Sequence, residues 1–141
     1  MADLIKTLDP SKGVVTVGGV ALSGFSDKSI EVEYNEDSFT ETVGCDGSTT
    51  RVRNRNENGK ATIYLQQTSA SNLYLSALAA RDRLDNSGVV PFVFTDLSGL
   101  TVAVAPQSYV IKVPKYQHGK AAQEVPWVLS LVGLKLTIGG N

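Results

Sequence analysis

Short runs of alternating apolar and polar residues recur along the chain and predict antiparallel β structure. In the run 30–35, Ile30, Val32 and Tyr34 alternate with Glu31, Glu33 and Asn35. The run 60–66 repeats this pattern, with Ala61, Ile63 and Leu65 alternating with Lys60, Thr62, Tyr64 and Gln66. Because successive side chains of a strand point to opposite faces, each run predicts a strand with one core face and one polar face.

Glycine-containing turn pairs separate the runs and predict hairpins, since glycine readily adopts the positive φ angles of tight turns. The pairs and the runs that they join are Gly18-Gly19 between 14–17 and 20–22, Asp46-Gly47 between 39–44 and 48–53, Asn58-Gly59 between 50–55 and 60–66, and Ser98-Gly99 between 91–95 and 100–105. The last long run, Val125 to Ile138, is apolar at most positions on both sides. It predicts a central strand, or a strand whose second face is covered by another subunit.

One helix interrupts the β pattern. Thr68, Ser69 and Ser71 offer N-cap oxygens before 72–84, and Asn86 to Gly88 ends the helix. Its packed face is predicted to comprise Leu73, Tyr74, Ala77, Leu78, Ala80, Arg81 and Leu84. The chain is therefore predicted to be one mainly β domain over 1–141, an antiparallel β-sandwich or barrel with one packed α-helix within 70–85.

The composition excludes several classes of protein. Thirteen Lys and Arg against 14 Asp and Glu leave a net charge of -1, which argues against a dedicated polyanion binder. Cys45 is the single cysteine and cannot form an internal disulfide, which suits a reducing cytoplasm. The uncharged stretch 61–80 is too polar for a membrane helix, and the first ten residues carry charges where a signal peptide would be apolar. We expect no membrane insertion.

No motif in the sequence predicts catalysis or a bound cofactor. Cys45 and His118 are the only residues that could form a Cys/His pair, and each is better explained as a turn or loop residue. Asn54, Asn56 and Asn58 imitate the spacing of a calcium loop, but they are amides where carboxylates are needed. A weak cation site at Glu33, Glu36 and Asp37 is less favoured than a solvated acidic loop. We expect no enzyme, no metal and no cofactor.

Charge is unevenly distributed along the chain. The segment 27–46 has seven acidic residues and one base, whereas 51–60 has four bases and one acid. On a strand, Arg51, Arg53 and Arg55 would line up on one face. No aromatic residue lies among them, which disfavours nucleic-acid binding. We interpret the arginine row as the counterpart of the acidic 31–41 segment, either within the subunit or on a neighbour.

Several segments, in their order and spacing, are similar to one structural family. They are Val17-Gly18-Gly19-Val20 with Gly24-Phe25, Glu36-Asp37-Ser38-Phe39, Val43-Gly44-Cys45-Asp46-Gly47, 51–58, 67–72, Asp96-Leu97-Ser98-Gly99 and Gly139-Gly140-Asn141. From about Val14 onwards the chain thereby resembles the tail tube proteins of contractile-tailed, myovirus-type bacteriophages. Cys45 departs from the alanine expected in relatives, which argues further against catalysis.

The resemblance implies a structural virion protein that forms hexameric rings, stacked into a hollow tube that conducts genome DNA into the host. It implies assembly in the host cytoplasm and contacts with further copies of itself, the tail sheath, tape measure, baseplate and tail terminator proteins. Double-stranded DNA would pass through the tube without specific binding. The alternative is a tube, baseplate or terminator ring subunit of a phage-derived particle, a tailocin or injector, that carries no DNA. A small enzyme or ligand-binding sandwich is a third class, without a clustered polar site to support it.

Within such a tube, the polar strand faces are expected to line the lumen, where an acidic wall would repel DNA phosphates. The candidate lumen residues are Glu31, Glu33, Lys60, Thr62, Tyr64 and Gln66. The N-terminal arm 1–12 and the long hairpin 34–56 are expected to reach adjacent rings. The candidate contacts between rings or subunits are Glu36, Asp37, Glu41, Arg51, Arg53, Arg55 and Trp127.

Overall fold

The computed structural model of the chain describes residue 5 and residues 7–140. Its strands are β1 (Gly13–Val17), β2 (Val20–Ala21), β3 (Phe25–Tyr34), β4 (Phe39–Val43), β5 (Thr49–Arg53), β6 (Gly59–Gln66), β7 (Val90–Asp96), β8 (Val102–Lys112), β9 (Glu124–Val132) and β10 (Lys135–Thr137). Helix α1 (Ser71–Asp85) separates β6 from β7, and a short 3-10 helix, Pro10–Lys12, precedes β1. The predicted arm 1–12 lies partly outside the described residues.

Eight strands form one antiparallel sheet in the order β2-β1-β7-β8-β9-β6-β3, with β10 paired to β8. Strands β4 and β5 form a separate two-stranded ribbon. The sheet curves strongly, since Val15 of β1 and Ile63 of β6 belong to the same core. A cavity of about 210 Å³ lies between β1, β3 and β7. The predicted mainly β fold with one helix is confirmed, as a single curved sheet closer to an open barrel than to a sandwich.

The core is built by alternate residues on the inner face of the sheet and by one face of α1. The fully buried larger side chains are Val15, Val17, Ile63, Leu65, Leu75, Phe92, Leu129, Leu131 and Leu134. In β6 the burial alternates with a period of two, as predicted: Ala61, Ile63 and Leu65 are buried, and Lys60 and Gln66 are exposed. Burial of this apolar surface is the main force that holds the sheet curved around the helix.

The bounds of α1 agree with the prediction, but its packed face differs. The N-cap is Ala70, without a side-chain hydrogen bond, so none of the predicted capping oxygens caps α1; Ser69 Oγ accepts a hydrogen bond from the Ser71 N–H at 3.2 Å just before it. Asn86 ends the helix in the left-handed conformation (φ 62°). The helix buries Ser71, Leu75, Leu78 and Ala79, whereas Leu73 and Leu84 are 78% and 84% exposed. The prediction was right for Leu78 and Tyr74, which pack in or against the core, and wrong for Leu73 and Leu84, because two apolar stripes at helical spacing lie on opposite sides of α1.

Three of the four predicted hairpins are present. Gly18 and Gly19 adopt positive φ between β1 and β2, Gly47 does so between β4 and β5, and the Ser98-Gly99 turn joins β7 to β8. The prediction of a hairpin at Asn58-Gly59 is wrong. Gly59 is the buried first residue of β6 and pairs with Tyr34 and with Leu131, so β6 lies between β3 and β9. Long-range pairing, rather than a local turn, fixes this segment.

The predicted strand Val125 to Ile138 is interrupted at one point. β9 is central, between β6 and β8, and ends at Val132. β10 then continues beside β8 in the register that β9 had held, with Lys135 opposite Val104 and Val132 opposite Gln107. The interruption lies opposite Pro106, which has no backbone N–H to donate, and Gly133 there adopts φ 72°.

Candidate functional site

One broad polar face of the sheet collects the predicted lumen residues. The register pairs Glu31 with Thr62 and Glu33 with Lys60, and paired residues point to the same side of a sheet. Tyr64 and Gln66 follow on that side of β6, opposite Pro126 and Glu124 of β9. We call this outer side of β3, β6, β9 and β8 the polar face. All six residues predicted from the alternation therefore lie together.

The polar face carries both signs of charge. Glu33 pairs with Lys60 at 3.7 Å, and Glu31 pairs with Lys28 at 3.4 Å. The Lys28 ammonium lies 5.5 Å from the centre of the Tyr64 ring. Burial, with the Glu31 carboxylate adding to it, raises the pKa of the Tyr64 phenol above its ordinary value. The two acidic residues predicted for the lumen are thus each accompanied by a lysine, an arrangement that the alternation did not reveal.

Two unpaired strand edges flank the polar face. β3 ends the strand order and pairs with β6 alone among the described strands. On the other side, the pairing of β7 with β8 stops at Val90 opposite Ser108. The end of β8, Tyr109 to Lys112, therefore pairs with β9 on one side only. Unpaired edges of this length present backbone N–H and C=O groups to another chain.

The ribbon β4–β5 extends from the end of the sheet where β3 stops and β6 starts. In the described residues every position of both strands is exposed, including Phe39, Val43 and Val52. Glu41 lies opposite Arg51 in the register, but the Arg51 guanidinium packs over the Phe39 ring at 4.1 Å. Arg51 and Arg53 share one face as predicted, whereas Arg55 lies beyond the end of β5. The part of the chain described here shows no ion pair within 4.0 Å for any of the three arginines.

A series of side-chain turns fixes the root of the ribbon. Asn54 Oδ1 accepts from the Asn56 N–H and Asn56 Oδ1 accepts from the Asn58 N–H, each at 3.0 Å. The Asn54 amide also donates to Glu36 at 2.6 Å. The segment that resembles a calcium loop is thus a run of turns, and no group of three His, Cys, Asp or Glu side chains suited to a metal occurs in the described residues.

Two carboxylates at this end of the molecule have lowered pKa values. A hydrogen bond from Lys135 Nζ, at 2.5 Å, and the lysine charge lower the pKa of Glu57. At the ribbon tip, the hydroxyl and backbone N–H of Ser48 donate to Asp46 Oδ1 at 2.7 and 3.0 Å, which lowers the pKa of Asp46. Cys45 is exposed in this tip, while His118 lies in the β8–β9 loop beside the Tyr116 hydroxyl at 2.8 Å. The Cys/His pair has no support in this arrangement.

Trp127, predicted as an interface residue, is buried within the subunit and belongs to the inner lining of the groove described below. It is 2% exposed, and its indole N–H donates to Asn72 Oδ1 of α1 at 2.9 Å. In β9 the residues 127, 129 and 131 point into the core, and Val128 and Ser130 point to the polar face. Trp127 therefore belongs to the core of the subunit. Because both faces of β9 are apolar in sequence, the alternation could not predict which side Trp127 faces.

A groove that no sequence motif predicted lies at the opposite end of the sheet from the ribbon. The groove, of about 670 Å³, lies between the start of β9, the first turns of α1 and the β8–β9 loop. Its apolar lining is Val113, Pro114, Tyr116, Val125, Pro126 and Trp127. Gln67 holds the loop in place, donating to the Gln117 carbonyl at 2.9 Å and accepting from the Gln123 N–H at 3.0 Å. The sequence signal was the composition of 112–123, which has three lysines and no carboxylate.

In the described part of the chain, the single helix α1 is neither long nor apolar enough to cross a membrane. The family model described as "Bacteriophage PhiTE tail tube protein" matches residues 8–139. "Structural protein ORF10" of Pseudomonas phage KPP10 is 33% identical over 150 positions, which cover all of this chain and 87% of that protein.

Two solved structures share the fold. One is the tube terminating cap of the anti-feeding prophage, with a TM-score of 0.65 and 8% identity, covering 97% of this chain and 95% of that one. The other is the sheath/tube terminator of an extracellular contractile injection system, PVC, in the extended state. It has a TM-score of 0.61 and 10% identity and covers 96% of this chain and 100% of the other. At these identities the likeness concerns the fold.

Proposed function

The chain belongs to the family of the bacteriophage PhiTE tail tube protein, and from this we propose that it is a subunit of a phage tail tube, built from stacked hexameric rings that conduct genome DNA into the host. One observation supports ring formation most directly: two unpaired strand edges flank one polar face. Pairing of β3 in one subunit with Tyr109 to Lys112 of the next would continue the four strands β3, β6, β9 and β8 around a ring. It would also remove edges that otherwise promote aggregation.

In this ring the polar face lines the lumen. Its expected role is to let DNA slide without binding. The ion pairs Glu33–Lys60 and Glu31–Lys28 support that role because they occupy two lysines of the face. A lysine that already faces a carboxylate offers little net attraction to a phosphate, and further exposed carboxylates such as Glu124 repel it. We propose a weakly adhesive wall of mixed charge, in which Glu31, Glu33 and Glu124 are offset by Lys28, Lys60 and Lys112, rather than a uniformly acidic one.

The β4–β5 ribbon is the proposed stacking arm. A two-stranded ribbon without a covered face is marginally stable alone, so the full exposure of β4 and β5 indicates a surface that a neighbour covers. Arg51 and Arg53 point to one side of it. We expect Arg51→Glu with Arg53→Glu to leave rings intact and weaken their stacking; unchanged stacking would contradict the assignment.

The remaining parts of the proposal follow from the tail tube role. The subunit would assemble in the host cytoplasm, in contact with tail sheath, tape measure, baseplate and terminator proteins, and would function in the virion. The exposed stripe of α1, which includes Leu73 and Leu84, faces away from the core and is a surface that such a protein could cover.

Negative-stain electron microscopy of the purified protein, together with light scattering over a concentration series, tests the proposal. We expect six-fold rings and hollow tubes, formed spontaneously or on a baseplate fraction. Rings that never stack would favour the alternative of a terminator or baseplate ring. A monomer at every concentration and with baseplate added would contradict the tube subunit.

A further inference from the structure

We propose that the groove beside the β8–β9 loop receives the β4–β5 ribbon of a second copy of this chain from the adjacent ring. This inference rests on the proposed function and names the receiving surface for the arm. It depends on three observations: the two surfaces lie at opposite ends of the same strands, each is incompletely covered within the subunit, and their charges are complementary.

The positions suit head-to-tail stacking. The ribbon leaves the sheet at Tyr34 and returns at Gly59, where β6 starts. The groove lies where β6 ends, since Gln66 pairs with Glu124 at the start of β9. The eight residues of β6 separate these ends by roughly 25 Å. Translation of a copy along the strands therefore brings the ribbon of one copy towards the groove of the next, a non-closing contact that repeats along an axis.

Each surface has exposed apolar groups that the subunit itself does not cover. On the face of the ribbon that carries Arg51 and Arg53 these are Phe39 and Val43, which are 44% and 65% exposed; Val52, 51% exposed, lies on the opposite face. In the groove, Tyr116 is 70% exposed and lies near Val125 and Pro126. The Phe39 ring with the Arg51 guanidinium above it is an amphipathic pair of the kind that anchors interfaces.

The charges favour this pairing. The segment 36–53, which contains the ribbon and the turn before it, has four carboxylates and two arginines, a net charge of -2; Glu33 and Glu57 at the root already pair with Lys60 and Lys135. The segment 112–123 has three lysines and no carboxylate, a net charge of +3. At the groove rim Glu124, which accepts a hydrogen bond from Ser26, offers Arg51 or Arg53 a carboxylate of the neighbour. The acidic residues of the ribbon would in turn face Lys115 and Lys120.

Cys45, exposed at the ribbon tip, provides a native probe. A maleimide–diazirine reagent is attached to Cys45, the labelled protein is assembled into tubes and photolysed, and the crosslinked peptides are identified by mass spectrometry. Mixing 15N-labelled and unlabelled copies distinguishes crosslinks between subunits from those within one. We expect intersubunit crosslinks in 112–128. The control, Cys45→Ala with Ala80→Cys, carries the probe on exposed α1 and is expected to give no intersubunit crosslink to 112–128.

A charge exchange provides the second measurement. Lys115→Glu with Lys120→Glu is expected to raise the protein concentration needed for half-assembly roughly tenfold, and Asp37→Lys with Glu41→Lys in the same chain is expected to restore most of the loss. Arg83→Glu, on the exposed part of α1, is the matched control without effect.

The outcomes separate the two proposals. Tubes whose Cys45 crosslinks map outside 112–128, or a charge exchange without rescue, overturn the groove as the receiving surface and leave the tube proposal standing. Protein that forms neither rings nor tubes contradicts the proposed function, and the inference fails with it.

Discussion

Gly59 shows at the residue scale that close packing, rather than a turn, can require a glycine. A methyl group at this buried position would overlap the Glu33 carbonyl and lie 2.5 Å from Leu134 Cδ2. Gly59→Ala is therefore expected to lower the free energy of unfolding by about 2 kcal/mol or more, as measured by urea denaturation. Gly47→Ala is the control, because Gly47 has φ 85° and no heavy atom within 4 Å of the new methyl. It should cost only about 1 kcal/mol; equal losses would show that β6 relaxes around the methyl.

The stability of the ribbon tip is expected to depend on pH through Asp46, and one hydrogen-bonding partner, Ser48, causes this dependence. Because the Ser48 hydroxyl and N–H donate to the Asp46 carboxylate, its pKa in the folded protein lies below the ordinary value of 3.8. The hydrogen bonds to the ionised Asp46 carboxylate therefore stabilise the tip at pH values above about 3.8. This stabilisation is lost as the pH falls through the lowered pKa of the folded protein.

Ser48→Ala is expected to move the pKa of Asp46 upward, as followed by NMR titration. Asp9 has the same type of partner in Ser11 and a lowered pKa, and it should keep that pKa in the variant. An unchanged Asp46 titration would show that the Ser48 hydroxyl has no part in the shift.

Which side chains point into the core could be predicted where the sequence alternates. The strict alternation of 30–34 and 60–66 indicated correctly which residues share the polar face. No such signal exists in β9, where Val125, Trp127 and Val128 are all apolar, so the alternation does not distinguish the buried Trp127 from Val128 on the polar face. Pairing with β6 decides the orientation, and that information is not local.

At the scale of elements, α1 provides a test of which apolar stripe holds the helix to the sheet. Leu75 is fully buried, and Leu73, two residues before it, is 78% exposed. Leu75→Ala is expected to destabilise the domain by about 3 kcal/mol, and Leu73→Ala by less than about 0.5 kcal/mol, in thermal or urea unfolding. Similar losses for both variants would mean that the two stripes contribute equally, and a larger loss for Leu73→Ala would mean that the helix packs through the opposite stripe.

The elements themselves were largely predictable, and the errors have local causes. The helix had polar residues before its start and an Asn at its end, although Ala70 occupies the N-cap without a side-chain hydrogen bond, and the ribbon had an Asp-Gly turn between strands of β-forming residues. The Asn58-Gly59 error arose because the same dipeptide suits a turn and a tightly packed strand start. The break between β9 and β10 arises from Pro106, a residue distant in the sequence that lies opposite Gly133. Local patterns cannot reveal a defect that a neighbouring strand imposes.

At the scale of the whole molecule, the order of the strands in the sheet could not be predicted from the sequence. β1 lies beside β7 and β6 beside β9, pairings between distant segments that no turn signal announces. The free edge of β3 follows from this order, and the free edge at Tyr109 to Lys112 follows from the point at which β7 stops pairing with β8. The groove likewise exists only because the end of β6 meets the start of β9 beneath the β8–β9 loop.

Hydrogen exchange can test ring closure strand by strand. In the monomer, the outward-facing amides of β3 and those of Tyr109 to Lys112 have no strand partner on one side and should exchange quickly, whereas central β6 and β9 should be protected. In assembled tubes we expect exchange at both edges to slow roughly tenfold or more, because an intersubunit ladder would bind these amides. The amides of β6 and β9 are the internal control. If β3 gained protection while 109–112 did not, β3 would pair with a different strand of its neighbour, and the ring would close through another edge.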